Sequence, residues 1–172
     1  MFILRYLFLF LILISSTSIG FLISKKYANR VNELVTFSNL INILQNKIRF
    51  TKVPLSEVFE EIGNIKTNNT IASIFLVSSQ KIKFTSCEAA WNKAIEEKEN
   101  ELSLKEEDFN LIKKLGNTLG RTDIEGQMSE INQFNTLLQM QIKKAEDERK
   151  KNEKMYRSLG TIIGLAIVIL IF

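Results

Sequence analysis

The chain has 172 residues, of which 45% are apolar and 24% are charged, and it contains one proline, one cysteine and no histidine. The lack of histidine excludes Ser-His-Asp and Cys-His catalysis and every zinc site with an imidazole ligand, although carboxylate chemistry stays possible. The single Cys87 excludes an intrachain disulfide framework. One proline and seven glycines are too few turn-forming residues for an all-β fold, so the composition favours long helices.

The first predicted element is an uncharged apolar run from Tyr6 to Ile23. As a helix it would rise about 27 Å, close to the roughly 30 Å hydrocarbon thickness of a bilayer. The alternative is a cleaved signal peptide, since Arg5 supplies a charged start and Ser16-Thr17-Ser18 supplies small residues. Because the apolar run continues beyond those small residues, we predict a retained transmembrane anchor over residues 1–24.

An amphipathic helix is predicted over 28–49, because apolar residues recur there at spacings of three and four: Leu34, Phe37, Ile41, Leu44 and Ile48. Pro54 suits the first turn of a short helix that runs to about Ile62. The Asn-rich stretch from Gly63 to Thr70 indicates a loop. The pattern from Ile71 to Phe84 is ambiguous; we predict a helix to about Lys81, after which the alternating residues are compatible with a strand.

Three pairs of residues have the spacing of a helix capping box: Thr85 and Glu88, Ser103 and Glu106, and Thr122 and Glu125. Each pair precedes apolar residues at helical spacing, and the third of these helices is long. Trp91 follows the first pair and is expected to anchor the core. Agreement between caps and periodicity at three separate segments predicts an α-helical bundle.

The long last helix is polar between Lys143 and Arg157, where seven basic and four acidic residues occur. The acidic residues interrupt the positive charge, so we predict a solvated stalk rather than a nucleic-acid-binding arm. The apolar run from Leu159 to Phe172 would rise about 21 Å, which is short for a span. Tyr156 can lie in the near interface while a terminal carboxylate reaches the far headgroups, so a second anchor is predicted over 158–172. The alternative is a buried C-terminal core element.

The charge distribution predicts the topology. Residues 25–157 contain 22 of the 23 lysines and arginines, and the positive-inside rule therefore places them in the cytoplasm. The predicted fold class is all-α: a cytoplasmic helical bundle over 25–157, flanked by N- and C-terminal transmembrane helices.

Small residues four apart occur in both predicted anchors: Ser16 and Gly20 in the first, Gly160 and Gly164 in the second. Small side chains let helix backbones approach closely in lipid. We predict that the two anchors of one chain cross at these four residues. Homodimerisation through the same residues is the competing interpretation.

Residues that could carry chemistry are few. An acidic cluster could be a docking patch or a weak cation site, or simply a solvated face: Glu96, Glu97, Glu99, Glu101, Glu106, Glu107 and Asp108. Cys87, near a helix start, could have a lowered pKa, although a half-buried structural role is preferred. Gly120 is predicted to end a helix in the left-handed conformation. A phosphate loop at Gly116–Gly120 would need a Lys-Ser/Thr ending and a preceding strand, and the sequence has neither.

The chain resembles the stage III sporulation protein AB family of endospore-forming bacteria over essentially its full length. The most specific matches are Gly116-x-Thr118-Leu119-Gly120-x-x-Asp123-x-Glu125-x-Gln127 and Glu153-Lys154-Met155-x-x-Ser158-Leu159-Gly160. Pro54-Leu55-Ser56-Glu57 and Ala90-Trp91 agree in order and spacing. The stretches from Gly63 to Phe84 and from Lys143 to Asn152 depart from the family pattern.

The resemblance implies a sporulation role in the mother-cell half of a secretion-like channel to the forespore. It implies that residues 25–157 are similar to the cytoplasmic helical domain of the type II secretion and type IV pilus platform protein. The implied partners are a cytoplasmic secretion-type ATPase (stage III sporulation protein AA) and other stage III sporulation membrane proteins, with the chain in the mother-cell membrane facing the forespore.

For docking the ATPase, the sequence offers two sets of candidates: a corner made of Gly116, Leu119, Gly120, Asp123 and Gln127, and the acidic residues Glu106, Glu107 and Asp108. No catalytic residue, metal, cofactor, nucleic acid or small-molecule substrate is predicted. Two alternatives remain, namely a membrane-anchored scaffold or sensor unrelated to secretion, and an enzyme that uses carboxylates at the membrane surface.

Overall fold

A computed structural model describes residues 2–51, 53–65, 69–120 and 123–171, without the side chains of residues 2, 3 and 5. Within these ranges the chain forms six α-helices and no strand: α1 Phe2–Phe50, α2 Leu55–Asn64, α3 Thr70–Lys81, α4 Cys87–Lys98, α5 Glu106–Thr118 and α6 Ile124–Ile171. A 3₁₀ turn, Glu99–Glu101, follows α4. The all-α prediction is confirmed. By length and composition, α1 and α6 could each cross a membrane.

The chain divides into two compact units. Unit 1 combines Met1–Val31 with Lys144–Phe172, and unit 2 is Asn32–Lys143. Both long helices contribute to both units. The predicted boundaries at residues 24 and 158 follow the expected limits of a bilayer, and they stay a prediction.

Unit 2 is organised around Trp91. Its ring centroid lies 5.1 Å from that of Phe75, 5.5 Å from that of Phe59 and 6.2 Å from that of Phe37. The indole Nε1 donates a 2.9 Å hydrogen bond to the Ile112 carbonyl of α5. These contacts join α1, α2, α3, α4 and α5 in one core, so the predicted anchoring role of Trp91 is confirmed.

Two of the predicted capping boxes are wrong. Ser86, not Thr85, is the N-cap of α4, and its hydroxyl accepts a 3.2 Å hydrogen bond from the backbone N–H three residues later. The helix predicted from Ser103 begins two residues further on, after Lys105. There the Asp108 carboxylate accepts a 2.9 Å hydrogen bond from the Lys105 N–H. Neighbouring polar residues offer alternative caps, and packing of the helix selects among them.

The ambiguous segment from Ile71 is helical to Lys81, as predicted, and its N-cap is Asn69, whose side chain accepts from the N–H groups of Ile71 and Ala72. Residues 82–84, which were compatible with a strand, form a turn instead. The predicted cap Thr122 lies outside the described residues. Asp123 caps α6, accepting a 2.9 Å hydrogen bond from the backbone N–H of Gly126.

The predicted solvated stalk is exposed on one side of α6 and half-buried on the other. In unit 1 Ala145 is buried, and Glu148, Asn152 and Tyr156 are half-buried at helical spacing. These residues share one side of the helix because they recur every three or four positions. The other side is exposed, as predicted.

Candidate functional site

The α1–α6 contact in unit 1 is centred on two glycines. A Cβ added to Gly20 would lie 2.8 Å from the Cα of Gly160, and a Cβ added to Gly160 would lie 2.8 Å from the Cα of Gly20. The Ser16 hydroxyl donates a 2.7 Å hydrogen bond to the Gly160 carbonyl. A Cβ on Gly164 would meet only side chains, those of Leu13 and Ser16. The structure thus brings together all four small residues singled out in the sequence.

A polar contact joins the same two helices further along unit 1. Arg30 is only 2% exposed, and its Nη1 donates a 2.7 Å hydrogen bond to the Glu148 carboxylate. Between this pair and the glycines, the rings of Tyr27 and Tyr156 stack with their centroids 5.8 Å apart. Nothing in the polar pattern of 143–157 had indicated a partly buried ion pair, because the two residues are 118 positions apart.

The predicted corner lies between α5 and α6 in unit 2. Gly120 has φ of +78°, as expected for a residue that ends a helix in the left-handed region. Its N–H donates a 3.3 Å hydrogen bond to Oε1 of Gln127. Gly120 and Asp123 are exposed and Gln127 is half-buried. The corner therefore combines a structural turn with accessible polar groups.

Two other corner candidates and one acidic candidate are buried, and this corrects the predicted docking sets. Gly116 packs on Trp91, where an added Cβ would lie 2.7 Å from Cδ1. Leu119 is in the core, and Asp108 is fully buried while it caps α5. A buried side chain presents no surface to a partner, so only Gly120, Asp123, Gln127, Glu106 and Glu107 stay as docking candidates.

A groove of about 590 Å³ beside the corner was missed in the sequence. It runs between the last turns of α1 and the first turns of α6, and its walls include Arg49 and Ile124. Ile124 is 51% exposed although it is a large apolar residue. The sequence signal for this exposed side chain was the position of Ile124 directly after Asp123, the residue that caps α6. We call Gly120, Asp123, Ile124 and Gln127 the corner surface.

The acidic cluster is mostly a charged, solvated face. Three of its carboxylates are paired with lysines: Glu97 with Lys81 at 2.7 Å, Glu101 with Lys98 at 2.8 Å, and Glu96 with Lys113 at 3.8 Å. Among the residues that the structure describes, no group of three or more Cys, Asp or Glu side chains could hold a metal ion. Cys87 is half-buried, and burial raises its pKa to about 11, so the lowered pKa considered for this thiol is wrong.

Glu33 of α1 is a half-buried carboxyl in unit 2 that the sequence did not single out. It accepts a 2.8 Å hydrogen bond from the backbone N–H of Ser103. Burial raises the pKa of Glu33 to about 7, with a further rise from the charge of Asp108, while the Ser103 hydrogen bond opposes both effects. The group therefore titrates near neutral pH.

The raised pKa of Glu33 predicts a pH dependence of stability. Between its usual pKa of 4.5 and the folded value of about 7, the folded chain binds more protons than the unfolded chain. The contribution of Glu33 is thus fully present below 4.5 and is lost as the pH rises through about 7. We expect Glu33→Gln, which keeps an acceptor for Ser103, to raise the free energy of unfolding at alkaline pH by about 1 kcal/mol, a value reduced for solvent screening.

Urea unfolding of the full chain at acidic and alkaline pH would measure this effect. Glu130→Gln, at an exposed carboxyl, is the matched control. An equally steep loss of stability with pH in Glu33→Gln and in the unsubstituted chain would contradict the assignment.

The fold and these contacts define an all-α protein whose two longest helices, each apolar enough to cross a membrane, pack on each other through glycine backbones. The family model for stage III sporulation protein AB matches residues 5–172, and the chain belongs to that family. The resemblance seen in the sequence is confirmed.

A relative and a solved structure are similar to this chain. Stage III sporulation protein AB of Bacillus subtilis (strain 168) is 27% identical over 162 residues, which cover 93% of this chain and 94% of the relative. A solved structure of stage III sporulation protein AB superposes with a TM-score of 0.66 at 22% identity, covering 72% of this chain and 98% of that one. At this identity the solved structure supports the fold alone.

Proposed function

We propose that this sporulation protein is a membrane platform component of the secretion-like channel complex between mother cell and forespore, and that it docks a cytoplasmic secretion-type ATPase. The observation that carries the proposal is the helix pair of unit 1. Large apolar side chains are exposed along residues 4–23 and 159–171, although the two helices pack on each other through Gly20 and Gly160. Such surfaces are stable in lipid and costly in water.

The charge distribution supports a cytoplasmic location for unit 2. Basic residues follow the first apolar run at Lys25 and Lys26 and precede the second at Lys154 and Arg157. The positive-inside rule places such residues on the cytoplasmic side of the membrane. The resemblance to the family implies that this membrane is that of the mother cell. Unit 2 would then face a cytoplasmic ATPase.

The corner surface is the proposed docking site for the ATPase, which the resemblance identifies as stage III sporulation protein AA. It combines Ile124, an exposed apolar side chain that lines a groove, with the exposed acidic residue Asp123. Apolar anchors bordered by polar groups dominate the energetics of protein interfaces. The proposed role needs binding and no catalysis, which suits a chain without histidine.

Substitution at the corner tests this docking site. We expect Ile124→Ser to weaken binding of the purified ATPase to the full chain in detergent by about tenfold, as for an apolar anchor of an interface. Phe84→Ser is the matched control, because Phe84 is 90% exposed elsewhere in unit 2. Binding would be measured by surface plasmon resonance and by recovery of the ATPase with tagged chain from sporulating cells.

Equal ATPase affinity of Ile124→Ser and the unsubstituted chain would contradict the corner site. Loss of affinity on charge reversal at Glu106 and Glu107 would then assign docking to the acidic residues. A failure to bind the ATPase at all, together with a phenotype in vegetative growth, would favour the scaffold or sensor alternative.

A further inference from the structure

Two grooves flank the crossing of α1 and α6 in unit 1. The contact with α6 is made by Ser16 and Gly20 of α1. The residues of α1 on one side of this contact line one groove, and those on the other side line the second groove. One groove, about 630 Å³, is lined by Ile14, Thr17 and Phe21 of α1 and by Arg157 and Thr161 of α6. We call it the Arg157 groove. The other, about 720 Å³, has Tyr156 at the corresponding end, and we call it the Tyr156 groove.

The Arg157 groove is lined by apolar side chains together with the hydroxyl residues Thr17, Ser18 and Thr161, and it is cationic at one end. Arg157 is exposed, and its guanidinium carbon lies 5.8 Å from the centroid of the Phe21 ring. Within the described ranges no carboxylate forms an ion pair with Arg157. Lys25 of α1 and Lys154 of α6 each lie one helical turn beyond the groove, and both are exposed. The lining of the Tyr156 groove contains no charged residue.

We propose that the Arg157 groove binds one anionic phospholipid. An acyl chain lies along Ile14, Phe21 and Thr161, and the phosphate is held by Arg157 with Lys25 and Lys154 around it. A guanidinium is well suited to this role, because its planar set of N–H donors matches the oxygens of a phosphate. The inference rests on the proposed function only in requiring that α1 and α6 lie in a membrane.

Charge favours a lipid over a second copy of the chain as occupant of the groove. The segment of α6 next to the groove has seven basic and four acidic residues between Lys143 and Arg157. A second copy packed there in parallel would bring the same excess of positive charge to the cationic end. An anionic headgroup neutralises that charge, and basic residues near the surface of a membrane attract such headgroups.

Native mass spectrometry of the full chain in detergent tests the site. The probes are dioleoylphosphatidylglycerol and dioleoylphosphatidylcholine, added in equal amounts. We expect the unsubstituted chain to retain one phosphatidylglycerol in preference to phosphatidylcholine. Arg157→Gln should lower the affinity for phosphatidylglycerol about fivefold, as expected for one basic residue at a lipid headgroup. Thr161→Phe, which fills the groove, should abolish the preference.

Each substitution has a control on the side of the Tyr156 groove. Lys26→Gln also removes one positive charge. Lys26 lies three residues after Ile23, which lines the Tyr156 groove. Ile163→Phe adds an aromatic ring to the Tyr156 groove itself. Both controls should retain phosphatidylglycerol like the unsubstituted chain.

Three results would overturn the proposal. Equal losses of affinity for phosphatidylglycerol in Arg157→Gln and Lys26→Gln would show that the lipid is attracted by diffuse charge and not held at a site. Equal retention of the two lipids by the unsubstituted chain would show no headgroup recognition. A dimer mass that disappears in Thr161→Phe would assign the groove to a second copy. Washing membranes with alkaline carbonate separates these failures from failure of the proposed function. A chain that spans the membrane stays in the pellet, whereas release of the chain would contradict the membrane platform itself.

Discussion

Gly160→Ala is expected to separate α1 from α6 in unit 1, whereas Gly164→Ala is expected to leave them packed. A Cβ at position 160 would lie 2.8 Å from the Cα of Gly20 and 2.9 Å from the Ser16 carbonyl, and backbone atoms cannot rotate away. A Cβ at position 164 would lie 3.1 Å from Cδ1 of Leu13, which can rotate away, and 3.1 Å from the Cβ of Ser16, a contact that a shift of a few tenths of an ångström relieves. The first change should cost about 1–3 kcal/mol of helix packing and the second much less.

Crosslinking measures this difference between the two alanine variants. Cysteines replace Tyr27 and Tyr156, whose rings stack with centroids 5.8 Å apart, in a Cys87→Ser background, and a short bifunctional thiol reagent joins them. We expect the intrachain product to fall about tenfold with Gly160→Ala and to persist with Gly164→Ala. Equal yields in the two variants would contradict the backbone contact. Products that form only between chains would support homodimerisation through the glycines instead.

Trp91→Ala is expected to lower the free energy of unfolding by about 3–5 kcal/mol. The substitution removes a fully buried indole from the ring cluster with Phe37, Phe59 and Phe75. It also removes the hydrogen bond from the indole to the buried Ile112 carbonyl, and an unsatisfied buried acceptor adds to the cost.

Urea unfolding followed by far-ultraviolet circular dichroism measures this loss without needing tryptophan fluorescence. Phe84→Ala is the control, because it removes an aromatic ring that is 90% exposed and should change the free energy of unfolding by less than about 0.5 kcal/mol. Similar losses of stability in the two variants would show that the ring cluster does not organise unit 2.

The helices were predictable where local pattern decides them. The stripe around Leu34 and Phe37, the helix after Pro54 and the turn at Gly120 each depend on a few neighbouring residues, and each appears in the fold. The caps were less predictable, because Thr85 and Ser86 are both good N-cap residues and packing chooses between them.

Burial and long-range pairing could not be read from the sequence. Asp108 lies in a polar stretch and Gly116 in a glycine-containing stretch, and both patterns predict an exposed position. In the structure Asp108 is buried and Gly116 packs against Trp91. The pairing of Arg30 with Glu148 joins positions on different helices, and neither helix alone reveals it. Small-residue spacing did indicate the residues of the α1–α6 contact, because close backbone approach requires small side chains on both helices.

Among the described residues, two hydrogen bonds far apart along α1 and α6 in unit 1 restrict how these helices can move. Ser16 bonds to Gly160 and Arg30 bonds to Glu148, each at 2.7 Å, at points separated by about 20 Å along the helices. A piston-like shift of one helix by a turn, about 5.4 Å, would break both bonds at once. Any force that reaches one helix in this unit should therefore displace the pair in tandem.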